Sequence, residues 1–299
     1  MTSGFHEGEL AVQRRAGVAD EASRLAGMLD DPDLDGGIGG FLAERDVAVL
    51  TARDADGRLW ISPLVAAPGF LNAHGSRLHV HASPAEGDPL HALPGGQRVG
   101  LLAIEFARRR RVRVNGTLTG AGDDGLTIAV EQAYGNCPKY IQQRRLERTA
   151  REGPRTVRRS SALDPADIAL IEAADTFFLG TVHPARGADA SHRGGTPGFL
   201  RAVDGGALWW PDYPGNNMFN SLGNLASDDT AALLVVDFGT GATLHLSGAA
   251  TVEWTASGEP GDDGGTGRRV RFTPDRVVSG SVALHAGDVA RYGRNPPLT

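Results

Sequence analysis

The chain has 299 residues, of which 40% are hydrophobic and 22% charged, a globular composition with room for two domains. Its formal net charge of −6 argues against a nucleic-acid partner, and no apolar run approaches the roughly 20 residues that cross a bilayer. The first residues lack the basic start and apolar stretch of a signal peptide and the one cysteine, Cys137, has no internal partner, so a cytoplasmic protein outside the membrane is expected.

The sequence of the first half predicts two helices with a series of strands between them. Asp20 to Leu29 has apolar residues at helical spacing, and the turn Asp54 to Gly57 predicts a hairpin between the first two strands. The expected strands are Val47 to Arg53, Arg58 to Val65, Leu78 to His81, Arg98 to Phe106, Arg109 to Thr119 and Gly125 to Gln132. A helix capped by Asn136 is expected over Pro138 to Arg148.

The second half predicts the same scheme. Asp164-Pro165 opens a helix, because proline suits the first helical turn, and Met218 to Ala226 forms a short one. The expected strands are Asp175 to Val182, Gly198 to Val203, Ala207 to Trp210, Ala231 to Phe238 and Thr243 to Trp254. Many short strands at this spacing are typical of a barrel or a sandwich.

The two halves also match each other in sequence. Three segments recur in the same order, at an offset that grows only from 129 to 132 residues. The pairs are Ser62 to Leu71 with Ser191 to Leu200, Leu101 to Phe106 with Leu233 to Phe238, and Arg113 to Gly116 with His245 to Gly248. Three matches in register indicate a duplicated unit.

The motifs of these units resemble the pyridoxamine 5'-phosphate oxidase-like family over about residues 5–254. The resemblance lies in the order of strand, hairpin, Pro-Gly-Phe, short helix, long apolar strand and Arg111-Val-Arg-Val-Asn-Gly116. The segment Tyr134 to Ile141 is similar to the Cys-Pro-Lys element of many members, and Phe5-His-Glu-Gly-Glu9, with Gln13 and Gly17, resembles a subgroup.

The resemblance implies a mainly β protein with a few helices, built as two six-stranded antiparallel Greek-key split barrels that form a pseudo-dimer within one chain. FMN lies between paired barrels in this family, its phosphate held by Arg, Lys, Ser and backbone donors. The expected organisation is an N-terminal helical extension at 1–40, a first barrel at 41–143, a linker at 144–163, a second barrel at 164–256, and a C-terminal loop and strand at 257–299.

The halves differ where a ligand would bind, and the polar residues are in the second. His192-Arg-Gly-Gly195 replaces Pro63 to Ala66, and Pro211 to Asn217 replaces Ala82 to Asp88. An arginine fork binds phosphate well, glycines let backbone N–H groups approach it, and amides at a helix start add donors. The candidate cofactor-binding residues are Ser191, His192, Arg193, Gly194, Gly195, Pro211, Asp212, Tyr213, Asn216, Asn217 and Asn220, with Tyr134 and Lys139 from the first half.

Each candidate taken alone also suits a polar strand end, a turn or a helix cap. The run Arg108 to Arg113 suits a solvated strand edge with one or two arginines reaching the barrel interface, because strand neighbours face opposite sides. Cys137 is expected to be a half-buried thiol without a catalytic histidine. His79 and His81 share a strand face but have no third ligand, so no metal site is expected.

The function implied is that of an FMN-dependent oxidoreductase with a nicotinamide donor or a separate reductase as partner and no assigned acid or base. Lys139, the one lysine, or Tyr134 would tune the ring. The alternatives are a non-catalytic flavin, haem or deazaflavin carrier, or a module that serves a separate reductase. A pseudo-dimeric monomer and a homodimer both remain open.

Overall fold

The computed structural model describes residues 4–29, 32, 34–122, 124–149 and 157–298. Parts of the expected N-terminal extension and linker, and the last residue, lie outside this range. The described chain is mainly β with five α-helices: α1 Glu7–Arg15, α2 Ala19–Ser23, α3 Gly37–Ala43, α4 Pro165–Ala173 and α5 Asn220–Ser227. None of the described helices is both long and apolar enough to cross a bilayer.

The first half forms one antiparallel sheet of seven strands. They are β1 Val47–Arg53, β2 Leu59–Val65, β3 Leu71–His74, β4 Arg77–Val80, β5 Arg98–Glu105, β6 Arg110–Gly122 and β7 Gly125–Gly135. Their order in the sheet is β2-β1-β5-β6-β7-β4-β3. The hairpin between β1 and β2 closes with Gly57 N–H donating to the Asp54 carbonyl, as the turn sequence predicts.

The second half forms an antiparallel sheet of eight strands. Its strands, with two short outliers, are β8 Leu146–Arg148, β9 Arg158–Ser160, β10 Thr176–His183, β11 Gly187–Gly194, β12 Arg201–Ala202, β13 Leu208–Pro211, β14 Thr230–Val236, β15 Ala242–Trp254, β16 Arg268–Ser281 and β17 Leu284–Ala286. The order is β11-β10-β14-β15-β16-β13-β12, with β9 added on β16, while β8 pairs with β17 in a separate ribbon.

The strand orders of the two sheets are the same. Adding nine to each label of the first path gives the second, so the duplication predicted from three sequence matches extends to the whole topology. The first repeat is therefore the sheet β1–β7, and the second repeat is the sheet β10–β16.

The strand count differs from the six per barrel that the resemblance implies. The sheets have seven and eight strands, and within the described residues neither path closes on itself. The edge strands β2 and β11 instead pack against the opposite repeat, β2 on β14 and β15, and β11 on β5 and β6. Covering an edge in this way protects its unpaired backbone groups.

Three large apolar cores and one small cluster, of Leu29, Tyr134 and Met218, are present among the described residues. One fills the first repeat, one fills the second, and the third lies between them. In β5, Leu101 and Ala103 face the core of their own repeat, while Leu102 and Ile104 face the other repeat. A strand buried on both faces needs a continuous apolar run, which explains the segment Leu101 to Phe106.

Glycines bring the two repeats into close contact. A Cβ on Gly100 would come within 2.6 Å of the Asp189 Cα, and one on Gly180 within 2.7 Å of the Thr51 methyl group. The backbones of β5 and β11 therefore touch directly, which fixes the spacing of the cleft beside them.

The helix predicted over Pro138 to Arg148 is wrong. Tyr140 has φ 64°, in the left-handed region that ends a helix, and Gln143 pairs with Ala290 instead. The predicted helix over Asp20 to Leu29 is broken into α2 and a 3₁₀ turn, Ala26–Leu29.

Helices α4 and α5 form close to where the sequence predicts them. Asp164 caps α4 by accepting from the N–H groups of Ala166 and Asp167. Helix α5 begins two residues later than predicted, at Asn220, because Asn217 and Phe219 both have positive φ.

Candidate functional site

A cleft opens between the two repeats where β6 of the first lies near β11 of the second. It has about 630 Å³ of free space, including the part open to solvent. We call it the central cleft. Its lining residues are Arg111, Arg113, Asn136, Cys137, Lys139, Tyr140, His192, Arg193, Gly194, Phe199, Trp210, Pro211, Tyr213, Gly215 and Asn216.

Three arginines line the cleft. Arg111 and Arg113 are two residues apart on β6 and so project from the same face, while Arg193 comes from β11. Arg113 binds Asp189 at 2.8 Å, and Arg193 lies 3.6 Å from Asp212. Three cations thus share two carboxylates at this site.

Arg111 is the one of these three arginines without a carboxylate partner among the described residues. Its Nη1 donates to Nδ1 and to the carbonyl of His192, at 2.8 and 3.3 Å. Burial, followed by the charges of Arg113 and Arg193, lowers the pKa of Arg111 to about 9. A buried cation in this position favours an anionic ligand.

The pKa values of Arg113 and Arg193 are shifted in opposite directions. Burial opposes the charge of Arg113, but Asp189 and Tyr134 beside it raise its pKa above the usual value. For Arg193, burial has the larger effect, and its pKa is lowered despite Asp212.

His192 is a neutral hydrogen-bond donor in the cleft. Arginine has no acceptor atom, so Nδ1 of His192 must accept from Arg111, and the imidazole hydrogen is on Nε2. Burial, followed by the charges of Arg111, Arg144 and Arg193, lowers the pKa of His192 well below its usual value. Its Nε2 is buried and has no hydrogen-bond partner in the part of the chain that the structure describes.

Buried polar atoms without partners are concentrated in this cleft. Five are N–H donors, one is a phenol and one is an amide oxygen: Nε of Arg111, Arg113 and Arg193, Nε2 of His192, Nε1 of Trp210, Oη of Tyr213 and Oδ1 of Asn136. Each buried unsatisfied group costs about 1–3 kcal/mol, so such a cluster is typical of a site that a ligand completes. The excess of donors indicates a ligand rich in acceptors.

Aromatic rings also line the cleft and form its aromatic wall. The rings of Tyr140 and Tyr213 lie 4.9 Å apart, and Phe199 stacks on Tyr213 at 6.5 Å. Lys139 Nζ and Tyr140 Oη both donate to the Pro214 carbonyl, at 3.3 and 3.0 Å, which ties the segment after β7 to the second repeat. Burial raises the pKa of Tyr140 to about 12 and that of Tyr213 further, so both phenols keep their protons.

The residues of the second repeat match a known family. Residues 163–260 fit the family model described as pyridoxamine 5'-phosphate oxidase. The matched residues, which include all strands of the second repeat except β16, are similar to this family. The first repeat lies outside the matched range but has the same strand order. A comparison with curated proteins found no match.

Several solved structures are similar to part of the chain. HupZ from Group A Streptococcus is 13% identical with a TM-score of 0.26, covering 46% of this chain and 99% of its own. HutZ, the haem storage protein from Vibrio cholerae, is 14% identical with a TM-score of 0.31, covering 40% and 97%. An FAD binding protein from Mycobacterium smegmatis is 11% identical with a TM-score of 0.27, covering 42% and 98%.

Most of the site residues predicted in the second repeat meet in the central cleft. His192, Arg193, Gly194, Pro211, Tyr213 and Asn216 line it, and so does Lys139 from the first repeat. The structure therefore brings together three segments that are far apart in sequence.

The remaining candidates lie behind the lining. Ser191 donates to the Leu179 carbonyl, Asp212 binds Arg268 at 2.9 Å, and Gly195 packs under the Phe199 ring. Asn217 occupies a turn with φ 63°.

Asn220 and Tyr134 support Arg113 from behind the cleft. Asn220 Oδ1 accepts from the Arg113 guanidinium at 3.2 Å, and its amide donates to Glu9 at 3.1 Å. Tyr134 is buried beside Arg113, which raises the pKa of that arginine. These side chains position the lining and do not face the ligand space.

Sequence reasoning placed Arg111 and Arg113 in a solvated edge with one or two members reaching the interface, and both of them line the cleft. The sequence alone did not separate these two from Arg108 and Arg110, which are exposed. It missed the aromatic wall, because Tyr140, Phe199 and Trp210 have no motif of their own. Cys137 is half-buried at the lining, as expected.

A second cavity lies at the corresponding position of the first repeat. Pro63 and Val65 occupy the places of His192 and Gly194, and Thr243 and His245 occupy those of Arg111 and Arg113. Its lining contains no arginine or lysine among the described residues. Among the described residues, the duplication thus repeats this cavity but not its cationic cluster.

His6, Glu7 and His183 also lie close together, between α1 and the second repeat. Nδ1 of each imidazole accepts from backbone N–H groups, so both carry their hydrogen on Nε2. Those Nε2 atoms donate to Asn224 and to Glu7, at 3.0 and 3.1 Å. Because the Nδ1 lone pairs of both histidines already accept hydrogen bonds, these residues attach α1 to the second repeat and are not suited to bind a metal ion.

Proposed function

We propose that the central cleft binds FMN and that the chain is an FMN-dependent oxidoreductase whose two repeats act as a fused pseudo-dimer. The observation that supports this most is the group of unpartnered donors on Arg111, Arg113, Arg193 and His192. Together they present positive charge and N–H groups to one end of a cleft formed by both repeats.

The cationic end fits a phosphate. Charge-assisted hydrogen bonds from guanidinium groups are about twice as strong as neutral ones, and three guanidinium groups line the cleft. Arg111, which has no carboxylate partner among the described residues, would gain most from a phosphate dianion. His192 would add a neutral N–H donor beside it.

The other end fits a planar ring. Tyr140, Phe199, Trp210 and Tyr213 offer aromatic surface within the same cleft. A phosphate at one end and an aromatic ring system at the other are the two features of FMN.

A bound flavin would supply the hydride or electron chemistry, and the protein would bind and orient it. Arg111, Arg113 and Arg193 would hold the phosphate, and the aromatic wall would exclude water from the ring. His192 cannot act as a base while Arg111 donates to its Nδ1, so we assign it a binding role.

Haem fits the cleft less well than a flavin. An axial histidine needs a lone pair on the nitrogen that faces the iron, and the free nitrogen of His192 carries the hydrogen. The acceptor-rich ligand that the donors require is a phosphate ester.

We infer one flavin for each chain. The second cavity has Pro63, Val65 and Thr243 where the central cleft has its donors. A phosphate placed there would lose its hydration without gaining charged partners.

Titration of the purified chain with FMN, followed by quenching of the flavin fluorescence, tests binding and stoichiometry together. The expected endpoint is one FMN for each chain, and an endpoint of two or no binding would contradict the proposal. FAD and a deazaflavin, titrated in parallel, should bind more weakly.

Turnover requires a second measurement on the loaded protein. Bleaching of the flavin absorbance by NADH or NADPH without oxygen, and its return with an acceptor, would show an oxidoreductase. A flavin that binds but is reduced by neither donor would instead indicate a carrier or a module that serves a separate reductase.

A further inference from the structure

The second cavity has its own chemistry, which the central cleft does not share. It has about 860 Å³ of free space, including the part open to solvent. Apolar side chains form much of its lining, and its polar members include Asp88 from the first repeat and His245 from the second. Duplication has kept the cavity while its charge has changed from positive to negative.

Asp88 directs one carboxylate oxygen into this cavity. Its Oδ1 accepts from Ser62 Oγ at 2.6 Å and from the Leu90 N–H at 2.8 Å. Its Oδ2 has no hydrogen-bond partner among the described residues, although the side chain is only 7% exposed. Two hydrogen bonds thus fix Oδ1 of the carboxylate, while Oδ2 can accept a hydrogen bond from a ligand.

His245 presents a second acceptor to the same space. Its Nδ1 lies 3.0 Å from the Ile61 carbonyl, which can only accept, so Nδ1 carries the hydrogen and Nε2 has the lone pair. Nε2 lies 3.8 Å from Asp88 Oδ2, beyond hydrogen-bond length. In the neutral imidazole, two acceptors therefore face each other with no donor between them.

A primary ammonium group satisfies this arrangement. It carries three N–H donors and a positive charge, so it can donate to Asp88 and His245 at once. The apolar part of such a ligand would contact Val65, Val278 and Val282, which line the same cavity.

We propose that the second cavity is a binding site for a primary amine with an apolar body. Asp88 provides the charge, His245 the second acceptor, and the valines the apolar surface. The site does not depend on flavin binding, since it shares no lining residue with the central cleft.

Dansylcadaverine, a primary amine whose fluorescence rises in apolar surroundings, is the probe for the test. We expect saturable binding by the full chain in the micromolar to millimolar range, competed by hexylamine. Dansylamide, which has the same ring system without the ammonium group, should bind at least about tenfold more weakly. Equal binding of the two probes, or no saturable binding, would overturn the proposal.

Asp88→Asn removes the charge while its amide oxygen can still accept from Ser62 and Leu90. We expect affinity for dansylcadaverine to fall by about tenfold or more. Asp56→Asn, at an exposed turn outside both cavities, is the matched control and should leave amine binding unchanged. Unchanged binding in Asp88→Asn, or an equal loss in both variants, would reject the assignment.

A second variant tests the site without changing the loop that contains Asp88. Val65→Phe should fill the cavity from β2 and abolish amine binding, while FMN binding at the central cleft reports that the fold is intact. Amine binding that survives in Val65→Phe would place the probe elsewhere and refute the site.

Discussion

Nη1 of Arg111 in the first repeat donates to Nδ1 of His192 in the second across 2.8 Å. This bond sets the tautomer of the histidine, directs its Nε2–H away from Arg111, and joins the two repeats at the point where the cleft is most positive. One contact thereby makes two donors available to one ligand, and each donor comes from a different copy of the duplicated unit.

Replacing Arg193 with alanine should weaken FMN binding. Losing one charged hydrogen-bonding partner costs about 1.5–3 kcal/mol, or roughly ten- to a hundredfold in dissociation constant. The measurement is a fluorescence titration with FMN. Arg58→Ala is the control, because Arg58 pairs with Asp275 on the surface, outside the cleft. Equal affinity of the wild type and Arg193→Ala would remove Arg193 from the phosphate site.

Replacing Lys139 with arginine tests whether the one lysine is needed for its shape. Lys139 lines the rim and donates to the Pro214 carbonyl at 3.3 Å. An arginine keeps the charge but presents a planar fork, so we expect weaker flavin binding or slower reduction. Stopped-flow reduction and the FMN titration measure both. A silent substitution would show that charge alone suffices at this position.

Replacing Glu9 with glutamine should flatten the pH dependence of stability. Glu9 is buried, and burial raises its pKa from 4.5 to about 7. The folded chain therefore holds a proton that the unfolded chain has released, so this group favours folding below pH 4.5 and loses its contribution as the pH rises to about 7. The loss amounts to as much as about 3 kcal/mol.

The measurement for Glu9 is the free energy of urea unfolding at several pH values between 4.5 and 8. His6 acts in the opposite direction, since burial lowers its pKa to about 4, so only the difference between wild type and Glu9→Gln isolates the carboxyl. Glu21→Gln, an exposed carboxyl of α2, should keep the wild-type slope. A wild-type slope in Glu9→Gln as well would mean that Glu9 titrates normally.

Replacing Gly8 with alanine should destabilise the packing of α1 on α5. A Cβ at Gly8 would overlap the Gly223 carbonyl oxygen and lie 2.6 Å from Ser227 Oγ. Overpacking of this kind typically costs about 1–3 kcal/mol, which thermal or urea unfolding can measure. Gly40→Ala, at a helical glycine with open space around it, is the control.

The two glycine variants should change the free energy of unfolding in opposite directions. Gly40→Ala should stabilise the chain by about 0.5–1 kcal/mol, because alanine loses less backbone freedom in a helix. Equal effects of the two substitutions would mean that α1 does not lie against α5 as described.

Much of the fold could be predicted because its strands are long and apolar. β1, β5, β14 and β15 are within two residues of the predicted bounds. β5 and β14 are buried on both faces and therefore have long apolar runs. β11 was missed, because Gly187 to Gly194 is polar and glycine-rich and becomes a strand only through its pairing with β10. Tertiary pairing overrides local preference at such positions.

The site was predictable where the two repeats could be compared. The contrast between Pro63 and His192 led to β11, and the structure places His192 and Arg193 in the cleft. The contribution of Arg111 could not be deduced from its own strand, since the same cation suits a solvated edge. Only the contact between β6 and β11 distinguishes the two interpretations, and that contact joins residues 81 positions apart.

The central cleft takes β6 from one repeat and β11 from the other, and both belong to one polypeptide. In a pair of separate chains, such a cleft would assemble by a second-order encounter, and its occupancy would fall as the protein became scarce. Covalent fusion replaces that encounter with an intramolecular one at a fixed effective concentration. Ligand affinity should therefore stay constant on dilution, so a cell holding only a few copies of this protein would still have every site assembled.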